Sequence, residues 1–333
     1  MIITQTPLRI SFLGGGTDYP DYYLESGGET LATSINQYTT VSVHPLTQFV
    51  DYRVRVHYSH LESVHAIDDI KHTTARECMK FLGISGGIEI YYSDDLPART
   101  GLGSSSAATV GLLHALHTLK GERVSQEKLA VEAIHIEQNM VKDRVGSQDQ
   151  FICALGGFRH LRFNRDGKIE TSLVPIAPGR SSALQERLML MYTGIQRNAH
   201  DVLDEQQTRT QAGDNSAHLS ELKQLVSRGI DVLKGTGNLA EFGALLHEGW
   251  EIKCKLSSKV TTSQIDDMYA RARAAGAIGG KLLGAGGGGF LLLFVEPEKR
   301  ANVKNALEGS FEAPFAFEDG GSQVIFNRPH PRS

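Results

Sequence analysis

The sequence has few cysteines and no long apolar segment. Its 333 residues include 3 cysteines, Cys78, Cys153 and Cys254, which are widely spaced and form no Cys-x-x-Cys pair. This spacing favours reduced thiols over disulfides or a structural zinc site. The longest apolar run, residues 290–295, is far shorter than the roughly 20 residues that cross a bilayer. No charged-then-apolar leader opens the sequence, so we expect a cytoplasmic protein without a membrane partner.

An excess of charge of one sign is also missing. Lys and Arg number 34 against 38 Asp and Glu, a formal net charge of −4, and the two signs are interspersed. This balance argues against nucleic acid as a partner. The hydrophobic fraction of 40% is typical of a globular protein with a real core, and the length predicts two domains.

Glycine, by contrast, is in excess. The chain holds 35 glycines, whereas ordinary usage of about 7% would give roughly 23 in a chain this long. The surplus lies in three clusters: Gly14–Gly16, the pair Gly101 and Gly103, and a late cluster within residues 279–289. Clustered glycine indicates backbone that adopts positive φ or lies directly against a ligand, and phosphate is a common occupant of such places.

Alternating and helical patterns along the chain predict an α+β protein in two layers. The predicted strands are residues 39–45, 52–58, 86–92, 169–174, 188–192 and 290–295. The predicted helices are residues 104–120, 125–141 with Ser125 as cap, 218–234, 238–256 and 263–275. Residues 145–151 are expected to form a polar turn, and Pro175 and Pro178 a connection. We therefore predict an N-terminal domain over 1–175 and a C-terminal domain over 176–333.

The second glycine cluster has the most specific pattern. Pro97-Ala98-Arg99-Thr100-Gly101-Leu102-Gly103-Ser104-Ser105-Ser106-Ala107 lies between a predicted strand and a predicted helix. Inward-pointing N–H groups, the helix dipole and three hydroxyls would suit a phosphate group. The sequence contains no Gly-x-x-x-x-Gly-Lys-Ser/Thr motif, and the Gly-x-Gly-x-x-Gly at 284–289 precedes a strand rather than a helix. A loop at 284–289 that closes over a ligand is favoured over a simple hinge.

Four acidic or basic residues are candidates for the chemistry of the site. Arg9 and Asp18 flank the first cluster, Asp149 lies in the polar segment 145–151, and Glu137 lies near the end of a predicted helix. A carboxylate placed like Asp149 could accept a proton from a substrate hydroxyl. Glu137 is a metal ligand only if it points back at the segment 97–107, called the serine-rich loop below. Zinc is not expected from the scattered histidines, because no Cys partners or His-Glu-x-x-His motif accompany them.

Taken together, the three ordered motifs closely resemble those of the GHMP small-molecule kinases. The resemblance covers essentially the whole chain, although Thr6-Pro7-Leu8-Arg9 departs from the usual Ala-Pro-Gly-Lys/Arg. It implies an N-terminal domain related to a ribosomal-protein fold, a ferredoxin-like C-terminal domain, and ATP with Mg²⁺ bound between them. Within the family, the motifs look most like those of kinases that phosphorylate the anomeric hydroxyl of a sugar phosphate.

The resemblance also implies roles for individual residues. ATP would be bound by the second cluster and its flank: Pro97, Thr100, Gly101, Leu102, Gly103, Ser104, Ser105 and Ser106. Ser105 and Glu137 would hold Mg²⁺, Asp149 would be the catalytic carboxylate, and Arg9 would pair with it and balance developing charge. The acceptor would be bound by residues from several motifs: Arg9, Gly15, Gly16, Thr17, Asp18, Asp149, Gly194, Arg197, Gly286 and Gly287.

A phosphorylated acceptor needs positive charge for its remote phosphate. Arg197 is the proposed residue, with Lys253 and Lys255 as weaker candidates. Two alternatives stay open: a kinase of the same family for an unphosphorylated sugar such as fucose, galactose or glucuronate, and a non-catalytic sugar sensor on the same fold. The expected partners are thus ATP and a small sugar phosphate, with a second copy of the chain as a further candidate.

Overall fold

The computed structural model describes residues 1–47, 49–195 and 199–328, apart from the side chains of residues 199–201. The strands are β1 (Ile2–Leu13), β2 (Gly28–Pro45), β3 (Val54–His57), β4 (Leu61–Val64), β5 (Ile88–Asp94), β6 (Phe158–Phe163), β7 (Ile169–Leu173), β8 (Leu188–Tyr192), β9 (Ala277–Leu282), β10 (Phe290–Val295), β11 (Phe311–Ala313), β12 (Phe317–Glu318) and β13 (Gln323–Asn327). The helices are α1 (Pro20–Ser26), α2 (Thr73–Phe81), α3 (Ser104–Leu119), α4 (Gln126–Ile134), α5 (Gln148–Leu155), α6 (Pro178–Arg187), α7 (Ala199–Gln211), α8 (Ser216–Lys234), α9 (Ala240–Lys253), α10 (Ser263–Ala274) and α11 (Arg300–Ala306).

Two sheets organise these elements. The first contains nine of the described strands, in the order β13-β1-β2-β5-β3-β4, with β6 and β12 also on β2 and β7 on β6. The second has the order β11-β8-β10-β9 and is antiparallel. Strands β12 and β13 come from the end of the chain yet pair with β2 and β1. The last segment of the chain therefore returns to the first sheet. A single division of the chain at residue 175 would assign this segment to the second domain.

One hydrophobic core connects the two sheets. Phe12, at the end of β1, stacks on Phe158 with ring centroids 5.1 Å apart and meets the edge of Phe242 from α9 at 5.4 Å. Phe294 from the second sheet belongs to the same buried cluster. Aromatic rings in such contacts contribute more than their buried area alone. The end of β1, where the first glycine cluster begins, is thus fixed between both halves of the molecule.

Most predicted elements agree with the structure, and the differences concern functional segments. The predicted helix at 104–120 is α3, and the Ser125 side chain caps α4 by accepting a hydrogen bond from the Lys128 N–H. The helix predicted over 125–141 changes at His135–Val141 into a π-helix. The polar turn predicted at 145–151 is wrong, because Gln148–Leu155 is helical. The connection after Pro175 contains α6, which begins at Pro178, where a missing N–H costs a helix nothing.

In the part of the chain that the structure describes, no helix combines the length and apolar character that a bilayer crossing requires.

Candidate active site

An ion pair between Arg9 and Asp149 forms the centre of the site. Arg9 lies on β1 and is 4% exposed. It donates Nε–H to Asp149 Oδ1 and Nη2–H to Oδ2, both at 2.7 Å, and Nη1–H to the carbonyl of Gly101 at 2.5 Å. Burial alone would lower the Arg9 pKa, but the Asp149 carboxylate reverses this and raises it above the ordinary value. A permanently charged fork therefore links β1, α5 and the serine-rich loop.

Asp149 is the accessible member of this pair. Its side chain is 25% exposed, against 5% for Arg9, and it lies in the first turn of α5. A carboxylate near a helix N-terminus is stabilised by the free N–H groups there. Held on one side by Arg9 and open on the other, Asp149 has one free direction in which to meet a hydroxyl.

The serine-rich loop packs directly on Arg9. The Arg9 N–H donates to the Leu102 carbonyl at 2.9 Å, and Gly103, at φ +77°, precedes the first turn of α3. A Cβ on Gly103 would lie 3.0 Å from Arg9 Cγ and 3.5 Å from Asp149 Oδ2. Glycine is therefore required by both the backbone angle and the close approach. The first N–H groups of α3 lack acceptors within the helix and are available to an anion.

Glu137 points back at this loop from the π-helix. Its carboxylate is 1% exposed and accepts hydrogen bonds from the Ser106 hydroxyl at 2.9 Å, the Thr109 hydroxyl at 2.7 Å and the Gln150 amide. Burial raises the pKa of Glu137 to about 7, although these three donors oppose the shift. π-Helical turns inside helices are frequent at functional sites.

The predicted pair of Ser105 and Glu137 is therefore only partly brought together. Ser106 Oγ, rather than Ser105, donates to Glu137, and Ser105 is exposed in the first turn of α3. A carboxylate and neighbouring hydroxyl oxygens are the donor set that Mg²⁺ prefers. The residues present thus fit a magnesium ion beside a bound phosphate.

Asp18 lies beside Asp149 at the end of the first glycine cluster. It is 1% exposed and accepts from the Gly16 N–H and from Gln148 Nε2, each at 3.0 Å. Burial and the nearby Asp149 charge raise the Asp18 pKa. Thr17, also predicted to bind the acceptor, is fully buried, and its hydroxyl donates to the carbonyls of Gly14 and Glu29. The Thr17 side chain thus holds the turn instead.

The late glycine cluster packs against the serine-rich loop. A Cβ on Gly284 would lie 2.5 Å from Gly101 Cα, and the Phe290 N–H donates to the Thr100 carbonyl at 3.2 Å. A Cβ on Gly286 would lie 2.6 Å from the Val260 carbonyl oxygen, to which the Gly287 N–H donates. Two glycines counted with this loop, Gly279 and Gly280, belong instead to β9.

The remaining predicted residues lie outside this centre or outside the described residues. Pro97 is exposed, and its carbonyl accepts from the Thr100 hydroxyl at 2.7 Å, closing the turn before Gly101. Gly194 follows β8 at φ +73°, and a Cβ on it would meet no other described atom within 4 Å apart from its chain neighbours. Lys255 is exposed. Arg197 falls among the residues that the structure does not describe.

Two buried lysines that sequence reasoning undervalued or missed lie close to the centre. Lys253 Nζ donates to the carbonyl of Leu282 at 3.1 Å and to that of Gly284. Lys281 Nζ donates to the Phe12 carbonyl at 2.9 Å, which ties β9 to the end of β1. Neither ammonium forms an ion pair with the described carboxylates. Their burial lowers the pKa of Lys253 to about 8 and lowers that of Lys281 well below the ordinary value of a lysine.

The Lys253 shift predicts a pH-dependent contribution to stability. Its pKa is about 8 in the folded chain against 10.5 for an ordinary lysine, so between these values the unfolded state binds more protons. Stability from this group therefore rises with pH over that window. The free energy of unfolding in urea is measured for wild type and for Lys253→Met. The value for wild type minus the value for Lys253→Met should be larger at pH 10 than at pH 8. Parallel pH dependence of the two proteins would contradict the assignment.

Thr109, Gln150, Ser11 and Gln148 are further polar residues of the site that the sequence analysis did not identify. Thr109 could have been found, since it follows Ser105 by one helical turn on the otherwise apolar face of α3. The positions of Gln148 and Gln150 on a helix could not be predicted, because the sequence predicts a turn at residues 145–151.

The sequence of this chain is similar to those of known kinases. Residues 68–157 match the GHMP kinases N terminal domain and residues 219–313 the GHMP kinases C terminal domain. The chain is 28% identical to D-glycero-alpha-D-manno-heptose 7-phosphate kinase of Campylobacter jejuni, over 96% of this chain and 97% of that one. It is 26% identical to the galactokinase of a Roseiflexus species, over 89% and 83% of the two chains.

A solved structure shares the fold. A D-glycero-D-manno-heptose 1-phosphate kinase from Bacteroides thetaiotaomicron superposes with a TM-score of 0.80 at 23% identity, over 99% of this chain and 100% of that one. The predicted two-part α+β architecture is confirmed.

Proposed function

The chain belongs to the GHMP kinase family and is an ATP-dependent sugar kinase, and from this premise we propose that its acceptor is D-glycero-D-manno-heptose 7-phosphate. The anomeric C1 hydroxyl would receive the phosphoryl group, giving heptose 1,7-bisphosphate for nucleotide-heptose and surface-polysaccharide synthesis. The observation that carries this choice is the similarity to the Campylobacter jejuni heptose 7-phosphate kinase over nearly the full length of both chains.

The proposed chemistry follows from the Arg9–Asp149 pair. The acceptor hydroxyl oxygen attacks the γ-phosphorus in line, the bond from that phosphorus to the β,γ-bridging oxygen breaks, and ADP leaves. Asp149 orients the hydroxyl and takes its proton, while Arg9 balances charge that develops beside it. The N–H groups at the start of α3 and the serine hydroxyls hold the phosphates. Positioning and electrostatics supply most of the rate in phosphoryl transfer.

Glu137 with a serine of the loop would hold Mg²⁺. When bound, the ion neutralises charge on the transferring phosphate. The family resemblance favours Ser105 as this serine, whereas Ser106 is the serine whose hydroxyl donates a hydrogen bond to Glu137. A Glu137 carboxylate that is ionised in the complex would also explain why three donors surround it at a buried position.

Glu137→Gln should raise the Mg²⁺ concentration for half-maximal activity by about 10–100-fold or more, since even indirect disturbance of a metal site has effects of that size. Initial rates measured against Mg²⁺ at saturating ATP would show this. Glu127→Gln, an exposed glutamate on the adjoining helix α4, is the matched control. An unchanged magnesium dependence in Glu137→Gln would remove Glu137 from the metal site, and Ser105→Ala beside Ser106→Ala would identify its partner.

The remote phosphate of the acceptor is assigned to Arg197 on sequence grounds. Lys255 remains a candidate because it is exposed. Lys253 is a weaker one, since two backbone carbonyls already engage its ammonium. Gly15, Gly16, Asp18, Gly194, Gly286 and Gly287 are proposed to surround the sugar.

A kinase for an unphosphorylated sugar is the second candidate, favoured by the similarity to the Roseiflexus galactokinase. ADP release measured across heptose 7-phosphate, unphosphorylated heptose, fucose, galactose and mevalonate separates the two. We expect kcat/KM to be highest for heptose 7-phosphate. A higher value for an unphosphorylated sugar would favour the second candidate, and a sensor would release no ADP with any of them.

A further inference from the structure

The three consecutive glycines of the first cluster are not equivalent. Gly14 adopts φ +80°, and a Cβ on it would lie 2.0 Å from the Glu29 carbonyl oxygen; Gly16 adopts φ +103°. Both angles are strained for any other residue. Gly15 has no positive φ, and a Cβ there would meet Ser11 Oγ at 3.5 Å and Gln148 Nε2 at 3.8 Å, ordinary contact distances. The fold itself therefore does not require glycine at position 15.

Each of the two polar side chains beside Gly15 carries an atom without a partner. Ser11 is 5% exposed and Gln148 is 7% exposed, and among the described residues neither Ser11 Oγ nor Gln148 Oε1 has a hydrogen-bond partner. The other amide atom, Gln148 Nε2, is bound to Asp18 Oδ2 at 3.0 Å, which fixes the direction of the amide. Leaving such groups unpaired is unfavourable, because each gives up its hydrogen bonds to water on burial and gains none in return. Buried polar groups of this kind normally have a partner.

We propose that Ser11, Gln148 and the bare face of Gly15 form a subsite for hydroxyl groups of the acceptor sugar. Gln148 Oε1 can only accept, so it needs a donor such as a sugar hydroxyl, whereas the Ser11 hydroxyl can donate or accept. The absence of a side chain at Gly15 lets the sugar ring approach both. The identification of the acceptor as a sugar rests on the proposed function.

The charge around this subsite selects hydroxyls over phosphate. Asp18 is bound to Gln148 and lies with its carboxylate next to the subsite, and Gln148 Oε1 carries partial negative charge. A phosphate would be repelled by both. Gln148 also immediately precedes Asp149 in the first turn of α5. A ring held by Ser11 and Gln148 therefore has a hydroxyl near the proposed base, while its remote phosphate lies elsewhere.

Gly15→Ala is the sharpest test, because the added methyl fits the protein but would lie against the Ser11 hydroxyl and the Gln148 amide. We expect the KM for the acceptor to rise about tenfold or more, the KM for ATP to stay within twofold, and the midpoint of thermal unfolding to stay unchanged. Gly179→Ala is the matched control, since Gly179 also lacks a positive φ and has open space around its Cβ position. It should change neither KM.

Ser11→Ala gives a second readout that a structural role would not produce. Removal of an unpartnered buried hydroxyl should leave the unliganded protein as stable as wild type or more stable, yet raise the acceptor KM. Destabilisation with an unchanged acceptor KM would show that Ser11 is structural and overturn its part of the subsite.

The two proposals fail separately. The acceptor KM is measured with whichever sugar of the panel wild type phosphorylates best. If that sugar is not heptose 7-phosphate but Gly15→Ala still raises its KM without changing the KM for ATP, the subsite stands and the acceptor assignment falls. If heptose 7-phosphate is the substrate and Gly15→Ala and Ser11→Ala leave its KM unchanged, the subsite is overturned alone. Absence of phosphorylation of every sugar would contradict both.

Discussion

Asp149→Asn is expected to lower kcat by about 10²–10⁴-fold, the range over which a positioned general base contributes. The substituted amide keeps the size of the carboxylate and still faces Arg9, but it cannot take the proton of the acceptor hydroxyl. In the proposed site ATP would bind chiefly through the serine-rich loop and α3, so its Kd should change little. Steady-state rates together with ATP titration by calorimetry would separate these two effects.

The control for this change is Asp166→Asn. Asp166 is exposed in the turn between β6 and β7, where its carboxylate accepts a hydrogen bond from the Lys168 N–H at 2.9 Å. It should retain wild-type kcat. If Asp149→Asn turned over at a near-normal rate, Asp149 would not be part of the chemical step, whatever its distance from Arg9.

Arg9→Met should have the second large effect, on both activity and stability. It leaves the Asp149 carboxylate without its two 2.7 Å hydrogen bonds and the Gly101 carbonyl without its donor. Breaking a largely buried ion pair from one side costs up to about 3–5 kcal/mol. We expect a lower free energy of unfolding in urea and a strong fall in kcat.

Arg9→Lys distinguishes charge from geometry. A lysine keeps the positive charge but cannot make the two-pronged contact with Asp149 and reach Gly101 as well. It should therefore recover part of the stability and little of the activity. If Arg9→Lys matched wild type in kcat, the fork geometry would be irrelevant, and if Arg9→Met retained full stability, the pair would not hold the site together.

Much of the fold follows from local patterns in the sequence. The apolar runs at residues 290–295 and 188–192 are β10 and β8. Helix α3 begins at Ser104, directly after Gly103, as the glycine-then-helix pattern predicts. In each case neighbouring residues decide the outcome, since helix spacing and strand runs are local properties.

Other elements depend on distant contacts. Gly279 and Gly280 look like loop residues, yet β9 runs through them because α9 crosses so closely that a Cβ on Gly279 would lie 1.9 Å from the Gly243 carbonyl oxygen. Strand β13 exists because β1 offers it an edge. Tertiary packing overrides the weak preference of glycine against strands at such places.

The site shows the same division. Its motifs single out Arg9, Asp149 and Glu137, and the structure brings the first two into contact and turns the third toward the serine-rich loop. Which serine touches Glu137 depends on the phase of α3 relative to the π-helix, which no spacing rule provides. The unpartnered atoms of Ser11 and Gln148 are visible only once the segments are assembled.

The most direct test of the account is the product formed from ATP, Mg²⁺ and D-glycero-D-manno-heptose 7-phosphate by the purified protein. Phosphorus NMR should show one ADP per sugar consumed and a second sugar phosphate whose phosphorus couples to the anomeric proton, as heptose 1,7-bisphosphate requires. No phosphorylation of this sugar, alongside efficient turnover of an unphosphorylated one, or a new phosphate at any carbon other than C1, would contradict the proposed function.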